Sequence, residues 1–255
     1  AINRHYPEIN IAPENKAVQF LEVVIAKQIA LVVEWMRVGF IHGVMNTDNV
    51  AISGETIDFG PCAMIGIYDP HTVYSSIDTK GRYAFGNQPN ITLWNMTRLA
   101  ECLLPLISND EKAAIAIVEP LLMQFSQQFE HAYFKMLANK LGLTEIAPSD
   151  QIFIAELLEI MKNKRLDYTQ LFTDLTQSLD DDNLAHKLKD KLGDWYDRWK
   201  VYSGDSQENI NIAKALMQTN NPIVIPRNHH VEKVLKACEE TGNMQAAADF
   251  LTVLL

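Results

Sequence analysis

Apolar residues recur at three- and four-residue steps from Asn15 to Val38, at Val18, Leu21, Val24, Ile25, Ile29, Val32, Val33 and Met36. That period lines them along one face of a long helix, and Gly39 follows as its stop. The pattern then changes. Two short β-prone runs, Val50 to Ile52 and Thr56 to Ile57, flank Ser53-Gly54-Glu55, which predicts a loop followed by a tight β-hairpin. From Pro61 to Pro89 the chain is rich in Gly, Asp, Ser and Tyr without helical period and reads as an ordered loop of the kind that contacts substrate. Within it, Asp78 to Arg82 lacks the alternating acids and terminal Glu of a calcium loop and reads as a polar turn.

Helical spacing returns near Asn90 with Leu93, Trp94, Leu99, Leu103 and Leu106, and assigns Trp94 to the core. Ser108 with Glu111 forms a capping box that opens a helix toward Leu141, with Gly142 as its stop and Pro120 expected to kink or divide it. Further helices are expected over Ser149 to Asn163, Thr169 to Leu179, Asn183 to Tyr202, Ser206 to Met217, His229 to Thr241 and Met244 to Leu254. Asp180 to Asp182 stand before a helix, where carboxylates cap free N–H groups. Lys187, Lys189 and Lys191 give a solvated face, and Trp195 and Trp199, one turn apart, pack in a core. The expected fold class is mainly α with a small β-hairpin, and the longest linker is Gly204 to Gln207.

Composition narrows the function classes. The chain has 255 residues, 47% hydrophobic and 21% charged, enough for a sizeable core. Its net charge of −10 argues against nucleic acid or an anionic membrane surface as partner, because nothing neutralises phosphates in bulk. Cys62, Cys102 and Cys238 are far apart and match neither a zinc site nor a disulfide framework. No apolar run approaches the roughly 20 residues of a membrane span, and the first residues lack a signal core, so a soluble, cytoplasmic protein is expected. The chain opens without Met and mid-pattern, which fits an excised fragment; removal of an initiator Met is the alternative.

The chemistry concentrates in Phe40 to Pro61, FIHGVMNTDNVAISGETIDFGP. Asn49 and Asp58 lie nine residues apart, and a fold-back between them would bring two oxygen donors to one hard cation. Magnesium takes few protein ligands and leaves the rest to water and phosphate. Asp58-Phe59-Gly60 alone is better read as an Asx-turn ending a strand. Its force comes from combination with His42, Gly43, Asn49 and Ile57-Asp58, which match a small-molecule-kinase pattern of His-Gly-Asp-x-x-x-x-Asn before a hairpin and an Ile-Asp. Val44 stands where that pattern has its proton-accepting Asp, and cannot accept a proton. Asp48 is the surrogate base. His42 is assigned a structural role.

These residues, with the following YDP, SSID, GRYAFGNQP, Trp94-Asn95 and the later NPIVIPRNH, resemble the SelO (selenoprotein O, YdiU) family of pseudokinases. The resemblance implies a protein-kinase-like C-terminal lobe with added helices: residues 1–107 as catalytic core and 108–255 as the helical remainder. It implies transfer of AMP from ATP to protein Ser, Thr or Tyr hydroxyls, with Asp48 as catalytic base and Asn49 and Asp58 as ligands of Mg2+, with Mn2+ as the alternative metal. It also implies that the nucleotide-gripping N-lobe precedes this segment, so that the chain alone is expected to be inactive. The family's reactive-cysteine feature is unsupported by Tyr74 and by the end at Leu255, and no redox switch is expected. Arg227 is assigned a structural pairing, and Arg82 a turn or a substrate contact. The rival readings are phosphoryl transfer by a kinase and a non-catalytic pseudokinase scaffold.

Overall fold

A computed structural model describes residues 1–9, 16–144, 147–204 and 206–254. The described helices are α1 (Ile2–His5), α2 (Lys16–Val38), α3 (Gln88–Ile107), α4 (Glu111–Lys140), α5 (Pro148–Asn163), α6 (Tyr168–Gln177), α7 (Asp182–Leu192), α8 (Asp194–Ser203), α9 (Gln207–Asn220), α10 (Asn228–Thr241) and α11 (Gln245–Leu254). A two-stranded antiparallel sheet joins β1 (Phe40–Ile41) to β2 (Ala63–Met64). The chain separates into two compact units: Ala1–Met36 with Ile41–Cys62 and Pro70–Phe134, and Arg37–Phe40 with Ala63–Asp69 and Lys135–Leu255.

The first unit is built on α2. Phe20, Leu21, Val24, Ile25, Ile29, Val32, Val33 and Met36 are buried along the predicted face, each contributing about 1.5–3 kcal/mol. The expected start at Asn15 lies outside the described residues. Gln28 lies on the same face and is buried with them. In α3 the buried stripe runs through Gln88, Ile91, Thr92, Asn95, Met96, Ala100 and Leu103, again mixing polar positions into an apolar row.

The second unit centres on Trp195 and Trp199, both buried as expected. Their indole N–H groups donate to the carbonyls of Phe153 and Leu141, each at 2.9 Å, and Phe153 stacks on Trp195 at 4.6 Å. Arg227 grips Asp167 through two parallel bonds of 2.8 and 2.9 Å, the expected structural pairing. Asp167 also caps α6 by accepting from the Gln170 N–H. Asp181 caps α7 as expected, accepting from Asn183 and Leu184.

Three expectations are corrected and one is narrowed. The helix from Asn183 to Tyr202 is two helices, because Gly193 at φ 62° and ψ −141° adopts a backbone open to glycine alone and breaks it. Of the two outcomes expected at Pro120, a kink or a division, division does not occur: α4 runs unbroken through it as one helix of 30 residues. Trp94 is 39% exposed rather than core. The hairpin of Val50 to Ile52 with Thr56 to Ile57 does not form: a turn occupies residues 52–53 and no strand flanks it. The strand pair lies further out, where Phe40–Ile41 meets Ala63–Met64, so the segment between closes as one long loop.

Gly39 makes that turn-in. It has φ +80°, and a Cβ there would stand 2.5 Å from Ile65 Cγ2 and 3.2 Å from the Tyr168 ring, while its carbonyl accepts from the Ile65 N–H at 2.7 Å. Gly39→Ala is expected to cost about 2–4 kcal/mol, adding a clash to the left-handed penalty. Gly242, at φ 65° with nothing near its missing Cβ, provides the control: Gly242→Ala should cost only about 1 kcal/mol. Denaturant unfolding of the two variants checks this, and equal costs would remove the packing argument at Gly39.

Candidate active site

The segment from His42 to Cys62 has backbone groups that a hairpin would have paired, and side chains pair them instead. The buried Gln28 amide donates to the Ala51 carbonyl at 2.7 Å. The Tyr6 hydroxyl donates to the Ile52 carbonyl. Burial, and secondarily the nearby Glu8 charge, push the Tyr6 phenol pKa up, so its proton stays available for that bond. The Trp35 indole donates to Thr56 Oγ1 at 2.8 Å, and the His42 ring Nε2 meets the Ile57 carbonyl at 2.8 Å. Gly54, at φ +78°, lies close enough to α2 that a Cβ would touch Lys27 Cβ at 3.0 Å.

His42 is buried and lies 5.4 Å from Trp35, ring to ring. Its Nδ1 accepts from the Val44 N–H at 3.4 Å, so Nε2 is the protonated nitrogen that donates to Ile57. Its own N–H donates to Gln88 Oε1 at 3.1 Å. The structural assignment of His42 is therefore specific: it fixes the carbonyl next to Asp58.

The loop's other half is tied to the same place. Asn49 Nδ2 donates to the Val44 carbonyl at 3.0 Å, which leaves its amide oxygen as the atom able to ligate a cation. Asn49 closes a 3-10 turn, Thr47–Asn49, and its N–H donates to the Asn46 carbonyl at 3.0 Å. Asp48 sits in that turn, exposed. Beneath it, Asn95 Nδ2 donates to the Met45 carbonyl at 3.0 Å, and the Tyr83 hydroxyl donates to Asn46 Oδ1 at 2.6 Å. Gly43, at φ +84°, meets Pro61 so closely that a Cβ would stand 2.8 Å from the Pro61 carbonyl oxygen. The residues flanking Asn49 and Asp58 thus converge on His42 to Val44.

Asp58 has φ +55°, one of two non-glycine residues with positive φ among those described. Asp tolerates the left-handed region better than most residues, yet the conformation still costs on the order of 1 kcal/mol and persists only where the surroundings enforce it. Here the enforcement comes from His42 on one side and a turn on the other, in which the Gly60 N–H donates to the Asp58 carbonyl at 2.8 Å. Asp58 is exposed. One neutral amide oxygen and one carboxylate, both accessible, suit a hard cation that keeps water and phosphate as its remaining ligands. No group of three or more His, Cys, Asp or Glu with metal-holding geometry occurs among the described residues, so the site differs from a cage that holds its ion by protein alone.

Cys62 follows the loop. Burial pushes its thiol pKa up, which keeps it protonated and weakly nucleophilic. No described helix is long and apolar enough to cross a membrane.

Tyr6, Gln28, Trp35, Gln88 and Asn95 were not among the residues expected to build the site. A signal for them exists in the helical pattern: Gln28 falls between Ile25 and Ile29, and Asn95 between Ile91 and Met96, on faces otherwise apolar. A buried amide at such a position requires a partner.

The chain matches the family model described as Protein adenylyltransferase SelO over residues 1–254. It is 47% identical to the Protein nucleotidyltransferase YdiU of Teredinibacter turnerae, covering 100% of this chain and 53% of that protein. To the proteins of the same name from Pseudoalteromonas translucida and Halalkalibacterium halodurans it is 46% and 45% identical, covering 100% and 98% of this chain and 52% and 51% of theirs. It therefore spans about half the length of these curated relatives. With a family model matched along almost its whole length and relatives near half identity, the chain belongs to the SelO family.

Proposed function

We propose that the protein carrying this chain transfers AMP from ATP to hydroxyl side chains of proteins, and that the chain forms the kinase-like C-terminal lobe of that enzyme. The observation that supports this reading is that the Asn49 side chain and the Ile57 carbonyl, next to Asp58, are both bonded to residues of the His42 to Val44 stretch, in a chain of this family. Asp48 takes the proton of the acceptor hydroxyl. The hydroxyl oxygen forms its bond to the α-phosphorus, the bond from that phosphorus to the bridging oxygen breaks, and pyrophosphate leaves with the electron pair. Asn49 and Asp58 would hold Mg2+, or Mn2+ in its place, and such an ion offsets charge that develops on the phosphate oxygens.

Val44 argues against ordinary phosphoryl transfer, since it presents no proton acceptor at the position where kinases carry one. The residues that grip the phosphates belong, on this reading, to an N-lobe in the remainder of the protein, and the isolated chain folds without transferring nucleotide. The exposed Phe59, at 66%, and Ile57, at 39%, give the neighbourhood of Asp58 an apolar edge suited to such a lobe.

ATP labelled at the α- or the γ-phosphate separates the readings in the full-length protein. AMP transfer moves only the α-label onto protein, kinase chemistry moves the γ-label onto its acceptor, and a scaffold moves neither. Asp48→Ala should reduce α-label transfer by roughly 10²- to 10⁴-fold, the range of a general base, with nucleotide affinity nearly unchanged. Normal turnover in that variant would remove Asp48 from the mechanism. Asp58→Asn, which keeps the left-handed backbone tolerable, should sharply weaken magnesium-dependent ATP binding in calorimetry, and Asn49→Ala should weaken it less. Wild-type affinity in both would refute the metal assignment.

A further inference from the structure

Residues 70–87 fold into a groove of about 610 Å³ whose lining includes His71, Lys80, Arg82 and Asn87. Its walls are laced by backbone bonds from the Phe85 N–H to the Thr72 carbonyl at 3.0 Å and from the Gly86 N–H to the Pro70 carbonyl at 2.8 Å. The groove also contains one carboxylate, Asp78, but both of its oxygens are occupied by backbone, accepting from the Arg82 N–H at 2.8 Å and the Tyr83 N–H at 2.7 Å. Asp78 keeps its charge, but its oxygens are turned to the backbone, and Lys80 and Arg82 leave the lining with a cationic excess in a chain of net charge −10.

Arg82 is held ready. Asp78 fixes its N–H, Asn87 Nδ2 donates to its carbonyl at 2.6 Å, and its guanidinium lies 4.7 Å from the centroid of the Trp94 ring. The exposed Trp94 thus carries a cation on its face, where the pattern called for core. A guanidinium braced on an aromatic face loses little freedom on binding a carboxylate. The groove is also coupled to the catalytic loop, because Tyr83, next to Arg82, donates its hydroxyl proton to Asn46, two residues before Asp48.

We propose that this groove docks an acidic segment of the acceptor protein, with Arg82 and Lys80 pairing its carboxylates, and so selects hydroxyls that lie near Asp or Glu. The inference rests on the proposed modification of protein hydroxyls, and it names the class of protein that is modified. Trp94 acts as a positioning residue for Arg82.

Fluorescence anisotropy on the full-length protein tests it, using labelled Ser-containing peptides that are either Glu-rich or Lys-rich. The Glu-rich peptide should bind more tightly and lose affinity as salt is added. Lys80→Glu combined with Arg82→Glu should reverse the preference toward the Lys-rich peptide, a gain that misfolding cannot produce, while Trp94→Ala should weaken Glu-rich binding by about threefold or more, equivalent to about 0.65 kcal/mol. Equal binding of the two peptides, or an unchanged preference in the double charge reversal, would overturn the proposal. The two readings fail separately: acidic-peptide binding without α-label transfer sinks AMP transfer and leaves the groove, whereas α-label transfer with no acidic preference sinks the groove alone.

Discussion

Backbone polar groups that leave regular structure must still find partners, and the loop between Gly39 and Ala63 meets that requirement with side chains from outside it. Gln28, Tyr6 and His42 donate to the carbonyls of Ala51, Ile52 and Ile57, and Trp35 donates to the Thr56 hydroxyl. Each partner left unpaired in a half-buried setting would cost about 1–3 kcal/mol. A strand pair would have satisfied the same carbonyls but imposed a straight ladder. Side-chain donors instead hold each carbonyl at an independent place, which permits a bend as sharp as the one at Asp58.

The proposed chemistry would use that freedom. A left-handed aspartate is unfavourable in isolation, and it persists here because the preceding carbonyl is fixed by His42 and the following chain by Pro61 against Gly43. Asn49 is committed through its amide nitrogen to Val44, so its oxygen is presented without a rotamer search. In the proposed reading, such preorganisation would let a site with few protein ligands favour a metal-bound nucleotide, since little ordering remains to be done on binding. The same economy recurs at Arg82, whose backbone and guanidinium are both braced before any partner arrives.

Much of this was legible in the residues. The face of α2, the stop at Gly39, the cap at Asp181 and the tryptophan core follow from periodicity and capping chemistry, which act locally. The hairpin expected from the strand propensity of Val50 to Ile52 and Thr56 to Ile57 does not form, because propensity yields to donors that arrive from distant positions such as Tyr6 and Gln28. Trp94 departs from its pattern because spacing alone counts an aromatic as core, while two guanidiniums, Arg82 and Arg98 at 4.7 and 5.3 Å, lie over its ring in a way that no helical pattern encodes. His42, Asp48, Asn49 and Asp58 could be nominated from spacing. Why Asp58 bends the backbone, and which residues hold it so, required the fold.

The central claim is that Asn49 and Asp58 serve one metal-bound nucleotide. A double-mutant cycle of Asn49→Ala and Asp58→Asn on Mg2+-dependent ATP affinity, measured by calorimetry in the full-length protein, tests it most directly. To keep all four corners measurable, Asp58→Asn is followed at saturating metal, where residual binding is read. Two ligands of one ion should show a coupling of about 0.5–3 kcal/mol, the second substitution costing less once the first has been made. Strict additivity of the two losses would mean that the residues act apart, and would contradict the account.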